Sequence, residues 1–381
     1  MNWSNSTLGE ISVSIQTGPF GSQLHQSDYS ETGIPVVMPK DLVGGKIATE
    51  SIARVSESHV ERLSRHKILQ GDILYSRRGD VGRCAYASSK EVGWLCGTGC
   101  LRVTVDKEKA NPKFVFYQLQ TAKSIGWVEK HAVGATMLNL NTSILSDVPV
   151  VLPTIQEQNR IATVLSSYDD LIENNQKQIK LLEEAAQRLY KEWFIDLRFP
   201  EHENTPIHDG VPEGWERCVV TDLLDIKYGK DHKTLAEGSI PVYGSGGVMR
   251  KVEPVLHSGE SVLIPRKGSL NNILYVTGDF WTIDTMFYSV PRIQNVAKYM
   301  YLFLSRLDMY SFNIGAAVPS MTVKILDGIS VLLPSVEILQ RFESAVASLF
   351  GQKKVLEEQC ETAANARDRL LPKLMSGEIE V

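Results

Sequence analysis

The residues best placed to do chemistry in this chain are short basic turns. Arg77 and Arg78 close the segment GDILYSRRG (71–79), and Arg266 and Lys267 close the similar GESVLIPRKG (259–268). In each, the cations follow a run of strand character and precede a glycine. A guanidinium there can bind guanine O6 and N7 bidentately, worth about 1–3 kcal/mol of discrimination, or simply hold a phosphate. Phosphate is the preferred reading for at least one member of each pair, and a solvated β-turn is the bland alternative. Lys40 and Arg83 join them as candidate DNA contacts.

Polar loops supply further candidates. The glycine-rich stretches Gly18–Gln23 and Tyr243–Gly247 could approach a groove closely, so Gln23, Tyr243 and Ser245 are singled out. Asn139, Asn141, Asn271 and Asn272 carry amides that can read an adenine edge, although Asn in a loop is more often turn chemistry. His59, His66 and His131 belong to no visible triad and read as surface residues. Five scattered cysteines, with only Cys96 and Cys100 close together, read as reduced thiols rather than a disulfide framework or a metal site. No phosphate-cradling G-x-x-x-x-G-K-[ST] is present. Gly97-Thr98-Gly99 has no acid spaced to grip a cofactor ribose.

The whole-chain charge of −5 does not advertise a nucleic-acid partner. Its distribution matters more. Arg54, Arg62, Arg65, Lys67, Arg77, Arg78 and Arg83 crowd one short window, while the two helical segments carry much of the acid. At 381 residues two or more cores are expected. No long apolar run reads as a membrane span, and the N-terminus lacks the pattern of a secretion signal.

Strands that would carry the basic turns are legible as apolar runs: IPVVMP (34–39), GDILYS (71–76), GRCAYA (82–87), CLRVTV (100–105) and VPVVLP (148–153). A helix is expected around Pro112–Thr121. The second half then repeats the first. GATMLNLNTSILSDVPVVLP (134–153) aligns without gaps on GAAVPSMTVKILDGISVLLP (315–334), a constant offset of 181. Gly134, Ala135, Ile144, Leu145, Val150, Leu152 and Pro153 meet identical partners. IPV (34–36) recurs at 240–242, and Trp3 and Trp215 each precede a Leu-rich opening.

After each globular segment comes a long helix. From Thr154 to Trp193 there is no Gly or Pro. Ile161, Leu165, Tyr168, Ile172, Asn175, Ile179, Leu182, Ala186, Leu189 and Trp193 fall at alternating steps of four and three, a heptad seam. Thr154 and Glu157 form a capping box. At about 1.5 Å per residue the helix spans roughly 60 Å. The offset carries the seam onto Phe342, Val346, Leu349, Leu356 and Leu370, with Lys353, Cys360 and Arg367 as polar exceptions. The chain therefore carries its own partner helix, expected antiparallel, with pairing to a second subunit as the competing geometry. Asn175 and the polar exceptions would fix register or face another protein. Trp193-Phe194 either anchors a partner subunit or caps the seam.

The expected fold is α+β: two mixed α/β recognition domains (1–153 and 215–334), joined by two long antiparallel helices in a coiled coil (154–197 and 335–381). A polar linker covers 198–214, and the internal repeat implies pseudo-two-fold symmetry. This architecture, with GDILYSRRGDVGR, LPTIQEQNRIATVLSSYDDLI and the terminal RLLPKLMSGEIEV, resembles the specificity subunit of Type I restriction-modification systems over essentially the whole chain. LPSVEILQRF departs from the pattern by lacking the Glu-Gln pair of LPTIQEQNRI. The resemblance implies a non-catalytic cytoplasmic subunit that reads a bipartite target in double-stranded DNA. It also implies two methylation subunits forming an adenine methyltransferase and additional motor-nuclease subunits, with S-adenosylmethionine and ATP held by those partners and no cofactor or metal in this chain. Asn111-Pro112-Lys113-Phe114 only approaches the Asn-Pro-Pro-Phe motif of a methyltransferase, because Lys113 replaces the second proline. The rival readings are a coiled-coil adaptor without DNA contact, and a self-contained enzyme using Cys96 or Cys100.

Overall fold

The computed structural model describes residues 3–134, 136–315 and 317–381. Met1, Asn2 and the repeat-matched pair Ala135 and Ala316 lie outside the described residues, as does the side chain of Ser22. The chain divides into two compact units, one of residues 1–174 with 359–381 and the other of residues 175–358. The division runs through both long helices. The sequence boundaries at 153/154 and 334/335 therefore mark where the helices begin, not where the units part.

In the first unit an antiparallel sheet runs in the order Ser12–Thr17, Cys100–Val105, Ile73–Ser76, Cys84–Tyr86. A second sheet pairs Ile34–Val37 in parallel with Leu95–Cys96 and antiparallel with Ala53–Val55. All four residues of Ile73–Ser76 are buried, which is why that strand reads as a continuous apolar run rather than an alternating one. Against the first sheet lies the helix Pro112–Leu119, burying Phe114, Phe116 and Tyr117. Its N-cap is Asn111, whose Oδ1 accepts from the Lys113 and Phe114 amides at 2.8 and 3.0 Å. The Asn-Pro-Lys-Phe stretch is thus a helix start with Pro at its first position.

The second unit repeats this plan. Its sheets run Leu224–Tyr228, Met286–Pro291, Ser261–Pro265, Leu274–Val276 and Gly247–Val252, Glu237–Gly244, Asp279–Thr282, His257–Ser258. Val36 faces Leu95 in the parallel pair of the first unit, and its counterpart Val242 faces Trp281 in the second. Each unit is closed by its first and last strands, Ser4–Thr7 on Pro149–Leu152 and Glu216–Val219 on Ser330–Leu333. The 198–214 linker is ordered, with Ile207–His208 pairing on Val211–Pro212.

The central helix spans Ile155–Tyr190 and the C-terminal helix Val336–Ser376. Thr154 accepts from the Glu157 amide at 3.4 Å, and Ser335 does the same for Ile338, so the second helix is capped despite its altered sequence. Within the first unit Ile161, Ala162 and Leu165 are buried in one cluster with Leu374 and Met375, against which Leu370 packs. Burying each large aliphatic contributes about 1.5–3 kcal/mol. Asp169 meets Arg367 and the Ile172 carbonyl meets Cys360, so one helix number falls as the other rises and the pairing is antiparallel. The second unit pairs its share of the helices in the same sense, through Glu183 with Lys353 and Trp193 with Phe342. The seam partner is therefore inside the chain, and Lys353 and Arg367 face their own central helix.

The heptad is not followed throughout. Tyr168, Ile172, Ile179, Leu182, Leu349, Leu356 and Leu370 are only half-buried, whereas Asn175, Phe342 and Val346 are buried. Toward the end of the central helix the buried positions become Ala186, Tyr190 and Phe194, while Leu189 and Trp193 pack at the edge of that core. A π-helical turn at Lys191–Ile195 continues the four-residue step and rotates Phe194 inward. Phe194 packs on Tyr299, Phe342 and Trp215, so the Trp193-Phe194 pair caps the seam within its own unit. Among the described residues no helix is long and apolar enough to cross a membrane.

Candidate nucleic-acid interface

Strand Ile73–Ser76 delivers the first basic turn, and a loop from elsewhere in the unit fixes its backbone. The Arg77 amide donates to Gly99 O at 2.7 Å, and the Arg77 carbonyl accepts from the Leu140 amide at 2.8 Å. Arg78 forms an antiparallel bridge with Asn139, and the Gly79 amide donates to Leu138 O at 3.1 Å. Arg78 is exposed. Arg77 is half-buried, and its Nε is buried without a hydrogen-bond partner among the described residues. Such a donor is costly unless an acceptor reaches it.

The second turn is built the same way. The Arg266 carbonyl accepts from the Met321 amide at 2.8 Å, Lys267 bridges Ser320, and the Gly268 amide donates to Pro319 O at 2.9 Å. Met321, Ser320 and Pro319 lie 181 residues after Leu140, Asn139 and Leu138. The offset of 181 therefore holds for the loop partners of these bonds, although the turns themselves lie further apart than that. The side chains differ. Arg266 donates through Nη1 to Asp284 O at 3.1 Å and lies over the exposed Tyr228 ring, 5.3 Å from its centroid.

The structure brings Arg77, Arg78 and Asn139 together in one unit, and Arg266, Lys267, Ser245 and Asn272 in the other. Other candidates have local duties. Arg83 pairs with Asp80 at 2.7 Å at an exposed position, and exposed Lys40 donates to Ser51 O at 2.9 Å. Gln23 accepts on its carbonyl from Arg62, while its own Oε1, like Asn139 Oδ1, is buried without a partner among the described residues. Tyr243 is half-buried with its ring edge-on to Phe280. Asn272 donates to Ser245 O at 2.9 Å, and Asn271 accepts from the Met309 amide at 2.7 Å and donates to Asp308. Asn141 caps Thr142–Ser146 by accepting from the Ile144 amide. These amides do turn and cap chemistry.

Sequence reasoning passed over Tyr228, Lys230 and Lys233. Tyr228 ends strand Leu224–Tyr228 and the two lysines follow it, as the Gly18 loop follows Ser12–Thr17. The signal was steric. A Cβ on Gly18 would lie 2.0 Å from Gly97 O, and one on Gly229 would lie 2.0 Å from Ile283 O.

Cys84, Cys96 and Cys100 are free and buried, and burial pushes the Cys84 and Cys96 thiols up to about 12, so neither is a thiolate at neutral pH. His131 stacks on Trp127, and half-buried His59 lies 3.5 Å from Asp28. His66, expected at the surface, is buried, with Arg65 Nε donating to its Nε2 at 3.0 Å. Among the described residues no group of three or more His, Cys, Asp or Glu could hold a metal ion.

Comparison with known proteins places these features in a family. The model of the Type I restriction modification DNA specificity domain matches residues 1–184 and 212–358. The chain is 26% identical to the Type I restriction enzyme MjaIX specificity subunit of Methanocaldococcus jannaschii, over 93% of this chain and 88% of that protein. It is 20% identical to the HindI specificity subunit of Haemophilus influenzae, over 99% and 100%. The crystal structure of the S subunit of a Type I restriction-modification system from M. genitalium shares the fold, with a TM-score of 0.61 at 20% identity over 98% and 96% of the two chains.

Proposed function

The chain belongs to the Type I restriction-modification DNA specificity family, and we propose that it reads a bipartite duplex target with one basic turn in each unit. It is a specificity subunit, and the chemistry of such a system resides in other subunits. The single observation that supports the two-reader assignment is the repeated frame. Arg77-Arg78 and Arg266-Lys267 are held by the same backbone hydrogen bonds in units whose surrounding loops differ. A common frame with different edges suits two half-sites of different sequence. Adjacent readers on one face of B-DNA are separated by about 34 Å or a multiple of it.

In this reading two methylation subunits assemble on the chain to make an adenine methyltransferase, and motor-nuclease subunits join them for restriction. S-adenosylmethionine and ATP are bound by those partners, and the complex works in the cytoplasm. The test is to map methylated adenines in DNA exposed to the complete complex. One bipartite motif is expected, and R77E with R78E should abolish recognition at one half-site. Binding of random duplex as tight as binding of every tested target would overturn the reading. Unchanged methylation by the charge-reversed variant would favour a coiled-coil adaptor.

A further inference from the structure

Each basic turn is bonded to a loop that carries two apolar side chains into solvent. In the first unit these are Val133 and Met137, 64% and 62% exposed. In the second they are Ile314 and Val318, 62% and 54% exposed. Both pairs are separated by the repeat offset of 181. A lone exposed aliphatic needs no explanation. Two pairs at matched positions, each beside the same cationic turn, do.

The loops are built to hold these side chains out. Val133 and Asn139 exchange both backbone hydrogen bonds, at 3.0 and 2.8 Å, which closes the first loop at its neck. In the second, the Ile314 amide donates to Ser320 O at 3.2 Å, and Asn313 Oδ1 accepts from the Gly315 and Ser320 amides at 2.8 Å each. Glycine is required at the bend. A Cβ on Gly134 would sit 2.2 Å from Met137 O, and one on Gly315 would sit 1.9 Å from Val318 O. The necks are tied by different groups, yet both loops present aliphatic carbon to solvent, from Val133 or Ile314 at the neck and from Met137 or Val318 beyond it.

Charge identifies what covers them. Neither 131–141 nor 312–322 contains an Asp or Glu. Each loop is bridged at its neck to a cation, Arg78 or Lys267. An apolar tip flanked by cations and free of acids fits the face or edge of a nucleobase below a phosphate backbone, as in proteins that set aliphatic wedges against base steps. We propose that Val133 with Met137, and Ile314 with Val318, are apolar wedges that contact bases at the two half-sites while the neighbouring cations hold phosphate. This rests on the reading of the chain as a DNA-specificity subunit.

The experiment uses the full-length chain and a duplex that the wild-type chain selects from a random-sequence pool. Affinity is measured by fluorescence anisotropy from 50 to 200 mM salt for wild type, V133S/M137S, I314S/V318S and R78A. Each serine pair should weaken binding roughly ten- to hundred-fold at every salt concentration, leaving the slope of log K against log salt unchanged. R78A should reduce that slope by about one. Thermal melting checks that the exposed serine substitutions leave the fold intact. Serine pairs that bind within about two-fold of wild type overturn the wedge, as does a loss accompanied by a reduced slope, which would mean that only the cations had moved. Unchanged DNA affinity with lost co-purification of methylation subunits would assign the tips to protein and also overturn it. If the wild-type chain enriches no sequence at all, the DNA-specificity reading itself falls, a result distinct from failure of the wedge alone.

Discussion

Removing Arg367 should loosen the helical seam by a measurable and partner-dependent amount. Its Nη1 lies 2.6 Å from Asp169 Oδ1, with the two side chains 26% and 18% exposed. A fully exposed pair contributes about 0–1 kcal/mol, and breaking a fully buried one costs about 3–5 kcal/mol. Exposure between those limits places R367A at about 1–3 kcal/mol. The Tyr117 hydroxyl also donates to Asp169, and burial pushes its pKa up, so it remains a donor at neutral pH. D169N is the suitable second variant because it removes the charge and leaves an acceptor for Tyr117. The double variant should then lose less than the two single losses added together, with a coupling of about 1–2 kcal/mol. The unit holding the pair has about 200 residues, so R367A should lower its Tm by roughly 2–10 °C. Circular dichroism melts of the four proteins at one concentration complete the cycle. Single effects that simply add, within about 0.3 kcal/mol, would mean that the seam is not closed by this pair, and the intramolecular partner would lose its clearest polar contact.

Acid should destabilise the first unit through His66. Burial, then the Arg65 guanidinium beside it, lowers its pKa below the ordinary value of 6.5, and Arg65 donates to the ring nitrogen that protonation would occupy. A group depressed in the folded state binds protons more readily when unfolded, so its contribution is full above about pH 6.5 and is lost as pH falls through the folded value. Melts between pH 8 and 5 should fall in Tm for wild type and fall less for H66Q; parallel curves would rule the residue out. G18A and G229A should each cost about 1–3 kcal/mol, because the added carbon meets a backbone oxygen at 2.0 Å and the chain must shift. Equal stability of either variant with wild type in urea unfolding would contradict the close approach.

What the sequence disclosed and what it hid follow from the range of the forces involved. Strands 34–37, 73–76 and 100–105 were legible because each is largely buried and mostly apolar or β-branched. The central helix was legible because a long stretch without Gly or Pro has a heptad to bury, and the C-terminal helix, which holds Gly351 and Pro372, because the repeat offset carries that heptad onto it. The offset of 181 was legible because both units need the same turn residues. Whether an amide is free was not legible. Asn271 and Asn272 read as groove contacts until Met309 and Ser245, distant in sequence, are seen to occupy them. Burial of His66 was hidden for the same reason. So was the buried ion pair between Asp72 and Arg102, whose guanidinium also reaches Gln16 and the Lys67 carbonyl. The seam positions Leu189 and Trp193 pack at the edge of the core rather than inside it, because Tyr190 and Phe194 take the buried positions where a π-turn follows the α-helix.

The repeat preserves main-chain geometry while letting side chains exchange roles. In one unit the amide of Gln118 donates to the carbonyl of Val151; in the other the hydroxyl of Tyr299 donates to that of Leu332, and all four positions obey the offset. In one neck Val133 O receives the returning hydrogen bond, and in the other Asn313 Oδ1 receives it. A frame fixed by backbone bonds has little need of particular side chains on its outer edge, so that edge can diverge without unfolding the unit. The first turn offers an exposed arginine, whereas the arginine of the second is held on Tyr228 and leaves Lys267 as its neighbouring cation. Lysine is a point charge without the planar fork that matches guanine or phosphate bidentately. Under the proposed assignment of the two turns to DNA, equal frames carrying unequal cations would give two readers that share a geometry and differ in what they recognise.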